Sequence, residues 1–464
     1  MGVGRASRSI QRTSWIGVAT IALSVGAPGC GGEDDDQPRI ASEASEAAVA
    51  ASAFPSTAAR QWMTNLALSV KFDTISPPVA ARTYTYGAIA IYESLVHGMP
   101  GYQSLAGQLN GLDSLPVPNG SLTYDWPTVL AHTMHLFVND GPYVYPNRLF
   151  YEYTTPVQAS LTTLGPVQIA YRRAAGVPED VINNSLGYAE QLAGALIAWA
   201  DEDGYYDVRY KGYVPPKGDD KWVPTGFSDL DKVANPAEPY FGTLRPLVLV
   251  SPDECAPPPP PPFSTNPTSA MFAEANAVYQ TEQNLTDEQR EIANFWADGP
   301  GATPTPAGHW LALATKYLRT RNLADAAAGY AYTSLGYYDS FIAIWQGKYT
   351  YNLLRPETYI RRHIDPGWRP FLPTPQFPSY MSGHSGQSSA AAVLFTEWLG
   401  DDPVNDNTKL RRGFAARDFA NFTAAAQEAA DSRIYGGIHY PMDDLLTQGL
   451  CVGNLIKERV HLTM

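Results

Sequence analysis

Leu323-Ala-Asp-Ala-Ala-Ala-Gly-Tyr-Ala-Tyr-Thr-Ser-Leu-Gly-Tyr-Tyr-Asp-Ser-Phe-Ile-Ala-Ile-Trp345 is a long, proline-free run whose apolar residues recur at helical spacing. It sets the pattern for most of the chain. C-terminal to it, Gly386–Leu399, Gly413–Asp431 and Pro441–Val460 read as further helices, as do Ala307–Tyr317, Thr286–Trp296 and Met271–Gln280 on its N-terminal side. Earlier still come Val181–Ala200, Trp126–Val138, Tyr84–Val96 and the stretch holding Trp62, Leu66, Leu68 and Val70, with Pro77-Pro78 marking a helix start. Alternating strand patterns are scarce. The expected fold is all-α, two packed helical bundles with long Pro-rich connections.

The composition agrees with a globular chain. With 464 residues, 44% apolar and 17% charged, there is enough to bury a large core, which excludes disorder as the main state. Thirty-two basic against 46 acidic residues give a net charge of −14, the wrong sign for a broad nucleic-acid face. Three cysteines exclude a disulfide scaffold and a four-cysteine zinc site.

Arg5, Arg8 and Arg12 precede the short apolar run Trp15–Val25, then Gly26-Ala-Pro-Gly-Cys30, the layout of an export signal. The Cys30 box resembles a bacterial lipoprotein cleavage site, and implies a signal peptide over 1–29, lipidation at Cys30 and a cell-envelope protein whose only membrane contact is the anchor. The mature balance would be 29 basic against 46 acidic residues, net −17. Cys255 and Cys451 would then be the remaining thiols, in a compartment where they could pair. Residues 30–55 are expected to be a flexible tether, 56–270 an N-terminal helical half and 271–464 a C-terminal one. The Pro257–Pro262 run, within an insertion over about 251–268, is expected to be a solvated polyproline II surface segment.

Three segments of the C-terminal half carry chemistry. Lys348-Tyr-Thr-Tyr-Asn-Leu-Leu-Arg355-Pro356 places two cations seven residues apart, which on a helix share a face, with Pro356 expected to end that helix. Phe377-Pro-Ser-Tyr-Met-Ser382-Gly383-His384 runs into a helix, so a hydroxyl, a glycine and an imidazole sit at a helix N-terminus, where free N–H groups attract an anion. Ser432-Arg433-Ile-Tyr-Gly-Gly-Ile-His439-Tyr-Pro-Met-Asp443 again feeds a helix. Together they supply three cations, a hydroxyl donor, backbone donors and two histidines, an inventory for gripping a tetrahedral oxyanion while keeping an imidazole for proton transfer.

In this order and spacing the segments resemble the signature K-x6-R-P, P-S-G-H, S-R-x5-H-x3-D of the superfamily that joins vanadium-dependent haloperoxidases to type 2 phosphatidic acid phosphatases; Met381 stands where that signature has proline. The resemblance implies that Lys348, Arg355, Ser382, Gly383 and Arg433 hold the oxygens of vanadate, with His439 as the axial nitrogen ligand to vanadium. It implies His384 as the acid–base group and Asp443 as the carboxylate fixing the His439 tautomer. Trp345 and Phe377 stand where haloperoxidases of this superfamily carry aromatic residues beside the cofactor. Pro77–Arg82, Trp222–Thr225, Phe295-Trp296 and Gly308-His309-Trp310 resemble further segments of bacterial haloperoxidase-type proteins.

The activity so implied is oxidation of halide, bromide and possibly chloride, by hydrogen peroxide to hypohalous acid, which passes to a small organic acceptor. The length favours it, because the superfamily's phosphatases are compact and lack the extra helical half. The alternative is a phosphomonoesterase acting through a phosphohistidine at His439, which needs no vanadate. A non-catalytic glycan-binding lipoprotein would use the aromatic content but leaves the cation spacing unexplained. His132 and His135 lack an evident third metal ligand, Asp201–Gly204 breaks the calcium-loop pattern, and Asp339 is expected to pair with a basic residue.

Overall fold

A computed structural model describes residues 49–139, 155–225 and 236–464; the export layout, Cys30 and most of the tether lie outside them. Among the described residues the chain is helical, with strands confined to Val404–Asp406 and Arg417–Phe419, an antiparallel pair. No described helix is long and apolar enough to cross a membrane.

The Leu323–Tyr351 helix is buried on nearly all sides from Leu323 to Lys348, as expected of a central core helix. Asn322 caps its start, its side chain accepting from the Asp325 N–H at 2.9 Å. Asn352 stops it by adopting left-handed geometry at φ 49°. The helices Pro77–Leu95 and Gly383–Leu399 both pack against it, and Gly383–Leu399 packs in turn on Phe422–Tyr435 and Leu446–Arg459. In the N-terminal half, Trp126–Val138 packs against Thr155–Ala174 and Glu179–Asp201. The main hydrophobic core takes side chains from both halves, from Trp62 to Leu462.

Four local readings change. Pro356 opens a helix, Pro356–His363, instead of ending one, because proline's missing N–H costs nothing at the first helical position. Arg355 is therefore extended, at φ −76° and ψ 154°, and does not share a helix face with Lys348. The expected Gly413–Asp431 helix begins only at Phe422, after the Arg417–Phe419 strand. The Pro257–Pro262 run is only partly exposed, since the Tyr380 hydroxyl donates to Pro258 O at 2.5 Å and Cys255 is bonded to Cys451. The end of the expected tether is docked: Ala51 is buried and Phe54 O accepts from the Leu323 N–H at 2.7 Å.

Asp339 forms no salt bridge among the described residues. It accepts from the N–H groups of Leu247, Val248 and Leu249 at 2.7, 2.8 and 2.9 Å, fixing an irregular loop to the central helix. His132 and His135 stack on each other, and no metal-holding group of three or more ligand residues occurs among the described residues.

Candidate oxyanion site

The central helix ends at the site. Lys348, in its last turn, is wholly buried and donates to Pro378 O and Ser379 O at 3.0 and 2.9 Å. These two bonds fix the loop that leads into Ser382-Gly383-His384. The ammonium also lies 4.9 Å from the centre of the Phe377 ring and 5.7 Å from that of Trp345. Burial, with Arg355 close by, pushes the Lys348 pKa well down.

Arg355, also wholly buried, reaches in from the start of the next helix. Its Nε donates to Phe377 O at 2.8 Å, and its Nη1 donates to Ile438 O at 2.8 Å and faces His439 Nε2 at 3.1 Å. Its Nη2 is buried without a partner. Arg433, in the last turn of Phe422–Tyr435, donates from Nη2 to Trp296 O at 2.8 Å and from Nε to Ser432 Oγ at 2.9 Å. Burial draws both guanidinium groups down to about 10.

Ser382 caps the Gly383–Leu399 helix, its hydroxyl accepting from the Ser385 N–H at 3.3 Å. Gly383 lies against the aromatic wall: a Cβ built on it would stand 3.7 Å from the Trp345 ring. His384 follows in the same first turn, with its Nε2 buried and unpartnered. Burial and then Arg433 lower its pKa well below the usual imidazole value.

His439 sits between an acid and a base. Its Nδ1 faces Asp443 Oδ2 at 2.7 Å, so Nδ1 carries the proton and Nε2 presents its lone pair toward Arg355. Burial, Arg355, Lys348 and Arg433 hold the imidazole neutral. Asp443 is pushed up to about 6 by burial, opposed by the Ser379 hydroxyl, which donates to the same Oδ2 at 2.5 Å. The Asp443 carbonyl also accepts the Ser382 N–H at 2.9 Å, joining the His439 loop directly to the Ser-Gly-His loop.

The structure thus brings together all ten residues singled out in this half, including the wall: the Trp345 and Phe377 rings stand 5.0 Å apart. No salt bridge joins Lys348, Arg355 or Arg433 to a carboxylate among the described residues. Buried cations that no carboxylate contacts directly are costly, and although Asp443 acts on Lys348 and Arg355, and Asp298 and Asp444 on Arg433, from a distance, an anion bound among the three would offset that cost further. Met381, at the place of the signature's proline, is buried.

A solved structure described as the first bacterial vanadium-dependent iodoperoxidase superposes with a TM-score of 0.79, at 31% identity over 88% of this chain and 97% of that one. The chain belongs to the vanadium-dependent haloperoxidase family. Residues 329–462 match the family described as the VCPO second helical-bundle domain. Apo-type and holo-type bacterial vanadium-dependent chloroperoxidases share the fold at 15% identity, with TM-scores of 0.57 and 0.56 over 85% and 83% of this chain and 96% and 93% of theirs. No curated protein matches the chain.

For this family member, sequence reasoning missed Ser379, whose hydroxyl donates to Asp443, and Asp444, whose Oδ1 accepts from Ser385 Oγ at 2.7 Å. It also missed the Trp296 carbonyl that grips Arg433. A serine two residues from a motif and a backbone carbonyl leave no type-specific signal; only the Phe295-Trp296 resemblance pointed to that region.

Proposed function

We propose that the chain oxidises halide with hydrogen peroxide to hypohalous acid, at a vanadate bound by Lys348, Arg355, Ser382, Gly383 and Arg433 with His439 Nε2 as the nitrogen ligand. The observation that carries this reading is the set of three buried cations around a neutral imidazole, with donors left over at Arg355 Nη2 and a nitrogen left over at His384 Nε2. That donor set fits a tetrahedral oxyanion in charge and in donor type. Vanadate, when bound, supplies a Lewis-acid centre that activates peroxide toward a halide.

The protein's own groups do the rest. The Asp443 carboxylate keeps the His439 lone pair on Nε2. His384 Nε2, free of protein partners, holds or delivers a proton at the site. Trp345 and Phe377 close one side with apolar surface, which excludes water from the reacting halide. Bromide is the expected halide, with chloride the harder case, and the likeness to an iodoperoxidase adds iodide to the set. A small organic molecule accepts the product.

The test is vanadium retained after incubation with vanadate and dialysis, in wild type and His439→Ala, together with peroxide-dependent halogenation of a dye and hydrolysis of a phosphate ester. One vanadium per wild-type chain, lost in the variant along with halogenation, is the expected result. Absence of halogenation by vanadate-loaded protein, with phosphatase activity lost in His439→Ala, overturns it in favour of phosphoryl transfer. We further propose export and lipid anchoring at Cys30, supported by the N-terminal layout and by the Cys255–Cys451 disulfide, a bond typical of oxidising compartments. Fatty-acid labelling lost in Cys30→Ala is the expected outcome; equal labelling rejects it.

A further inference from the structure

Behind the site lies a second, fully buried charge cluster built from segments far apart in sequence. His309 Nδ1 faces Asp298 Oδ2 at 2.8 Å and its Nε2 faces Asp406 Oδ2 at 2.6 Å. Both ring nitrogens therefore point at acceptors, which only the doubly protonated imidazolium can satisfy. Lys409 Nζ closes on the other oxygen of Asp298, and the Thr408 N–H and hydroxyl bond the other oxygen of Asp406 at 2.9 and 2.7 Å. The four carboxylate oxygens are all occupied. Asp298 holds this arrangement from left-handed backbone geometry, φ 42°, which a non-glycine residue adopts only when its surroundings fix it.

The cluster meets the oxyanion site at Trp296, and the Asp298 charge also acts on Arg433 and His384. The Trp296 indole lies flat on the His309 ring, centroids 4.4 Å apart and planes 25° apart, a cation against an aromatic face. Its Nε1 donates to Glu428 Oε1 at 2.9 Å, so the indole is held on its face and at its edge. Its main-chain carbonyl accepts from Arg433 Nη2 at 2.8 Å and is hydrogen-bonded to His384 as well. His384 Nε2 has no hydrogen-bond partner among the described residues.

We propose that the Asp298–His309–Asp406 clamp is a positioning device for the oxyanion site: by fixing Trp296 it holds the Trp296 carbonyl where it anchors Arg433 and sets His384 as the Nδ1–H tautomer. The link to halide oxidation rests on the reading above, whereas the tautomer does not. His309 itself is a positioning residue, since its two nitrogens are committed to Asp298 and Asp406 and its ring face to Trp296. With the tautomer set, His384 presents an acceptor nitrogen to the site and takes up or returns a proton there without a ring flip.

The chain has only eight histidines, so imidazole 15N shifts are readable in histidine-labelled protein, with His384→Ala supplying the assignment. In wild type, His384 is expected as a single Nδ1–H tautomer. Trp296→Leu keeps an apolar side chain but removes the flat surface over His309; it is expected to give a tautomer mixture at His384 and a 10- to 100-fold weaker vanadate affinity in dialysis. Trp296→Phe, which restores a flat ring, is expected to return the wild-type shifts. Wild-type shifts in folded Trp296→Leu, or equal disturbance by Leu and Phe, overturn the proposal. If both Trp296 variants fail to fold, Asp406→Asn replaces them: a tautomer mixture there supports the clamp and an unchanged tautomer rejects it. Vanadium retention absent from wild type sinks the haloperoxidase reading while leaving the tautomer result to decide the clamp.

Discussion

At the scale of single residues, Asp443 is the side chain on which most of the site turns. Its Oδ2 receives the His439 ring, the Ser379 hydroxyl and the Tyr440 N–H. Asn in its place keeps the shape but exchanges one acceptor oxygen for a donor and removes the charge that favours the Nδ1–H tautomer. Asp443→Asn is expected to weaken vanadate binding 10- to 100-fold, about 1.4–2.7 kcal/mol, as loss of a carboxylate behind a ligating histidine does elsewhere. Equilibrium dialysis against vanadate, beside a melting curve to confirm the fold, measures it; unchanged affinity in folded protein would remove Asp443 from the role. Arg355→Lys makes a matching case. One ammonium cannot serve Phe377 O, Ile438 O and an oxyanion at once, so affinity should fall although the charge is kept. The identities of these residues could be read in the sequence because their types and spacings are unusual. The carbonyls of Pro378, Ser379, Phe377, Ile438 and Trp296 that hold the three cations could not, because every residue carries one.

At the scale of elements, the helices with an unbroken apolar pattern were legible: Leu323–Tyr351 and Trp126–Val138 start where the spacing places them. Thr155–Ala174 is not legible because Pro166 interrupts its pattern, and Pro356–His363 is not because a proline at that place reads as a stop. Less visible still is what lets the Ser382–His384 turn sit where it does. The helix it opens is crossed by Leu446–Arg459 at a contact made by glycines: a Cβ on Gly449 would collide with Gly386 O and Ser389 Oγ, and one on Gly453 would stand 2.7 Å from Val393 Cβ. Both neighbours of Gly449 belong to the same helix as the turn, and one is main chain that cannot rotate away. Gly449→Ala is accordingly expected to cost about 3 kcal/mol or more, at the upper end for overpacking, and to separate the Ser-Gly-His loop from the His439 loop. Thermal unfolding and vanadate binding should fall together. A folded Gly449→Ala with wild-type stability would mean the helices do not meet as closely as this.

At the scale of the whole molecule, an acidic chain surrounds a basic centre: net −14 overall, with Lys348, Arg355 and Arg433 buried where side chains of both halves share one core. Composition alone showed the first fact and hid the second, since a net charge does not say where the cations sit. The Cys255–Cys451 bond is a molecule-scale feature of the same kind. Two cysteines 196 residues apart gave no geometric hint of pairing, yet the bond ties the proline-rich segment to the C-terminal helix, alongside an Arg459–Glu254 ion pair at 2.5 Å. Closing so long a loop limits the unfolded chain more than the folded one, worth about 5 kcal/mol by chain entropy and about 2–5 kcal/mol in comparable proteins. The folded state has other restraints on that segment, the Tyr380 and Tyr359 hydroxyls bonding Pro258 O and Ser264 O, so it should stay in place when the bond is cut. Cys255→Ser with Cys451→Ser, or reductant on the wild type, is therefore expected to lower the unfolding midpoint by several degrees while vanadate affinity at 25 °C is retained. Differential scanning calorimetry with and without reductant reads the first and dialysis the second. Identical midpoints would show that the bond does not form, and a parallel loss of affinity would show that the proline-rich segment, not the helices alone, holds the oxyanion site in shape.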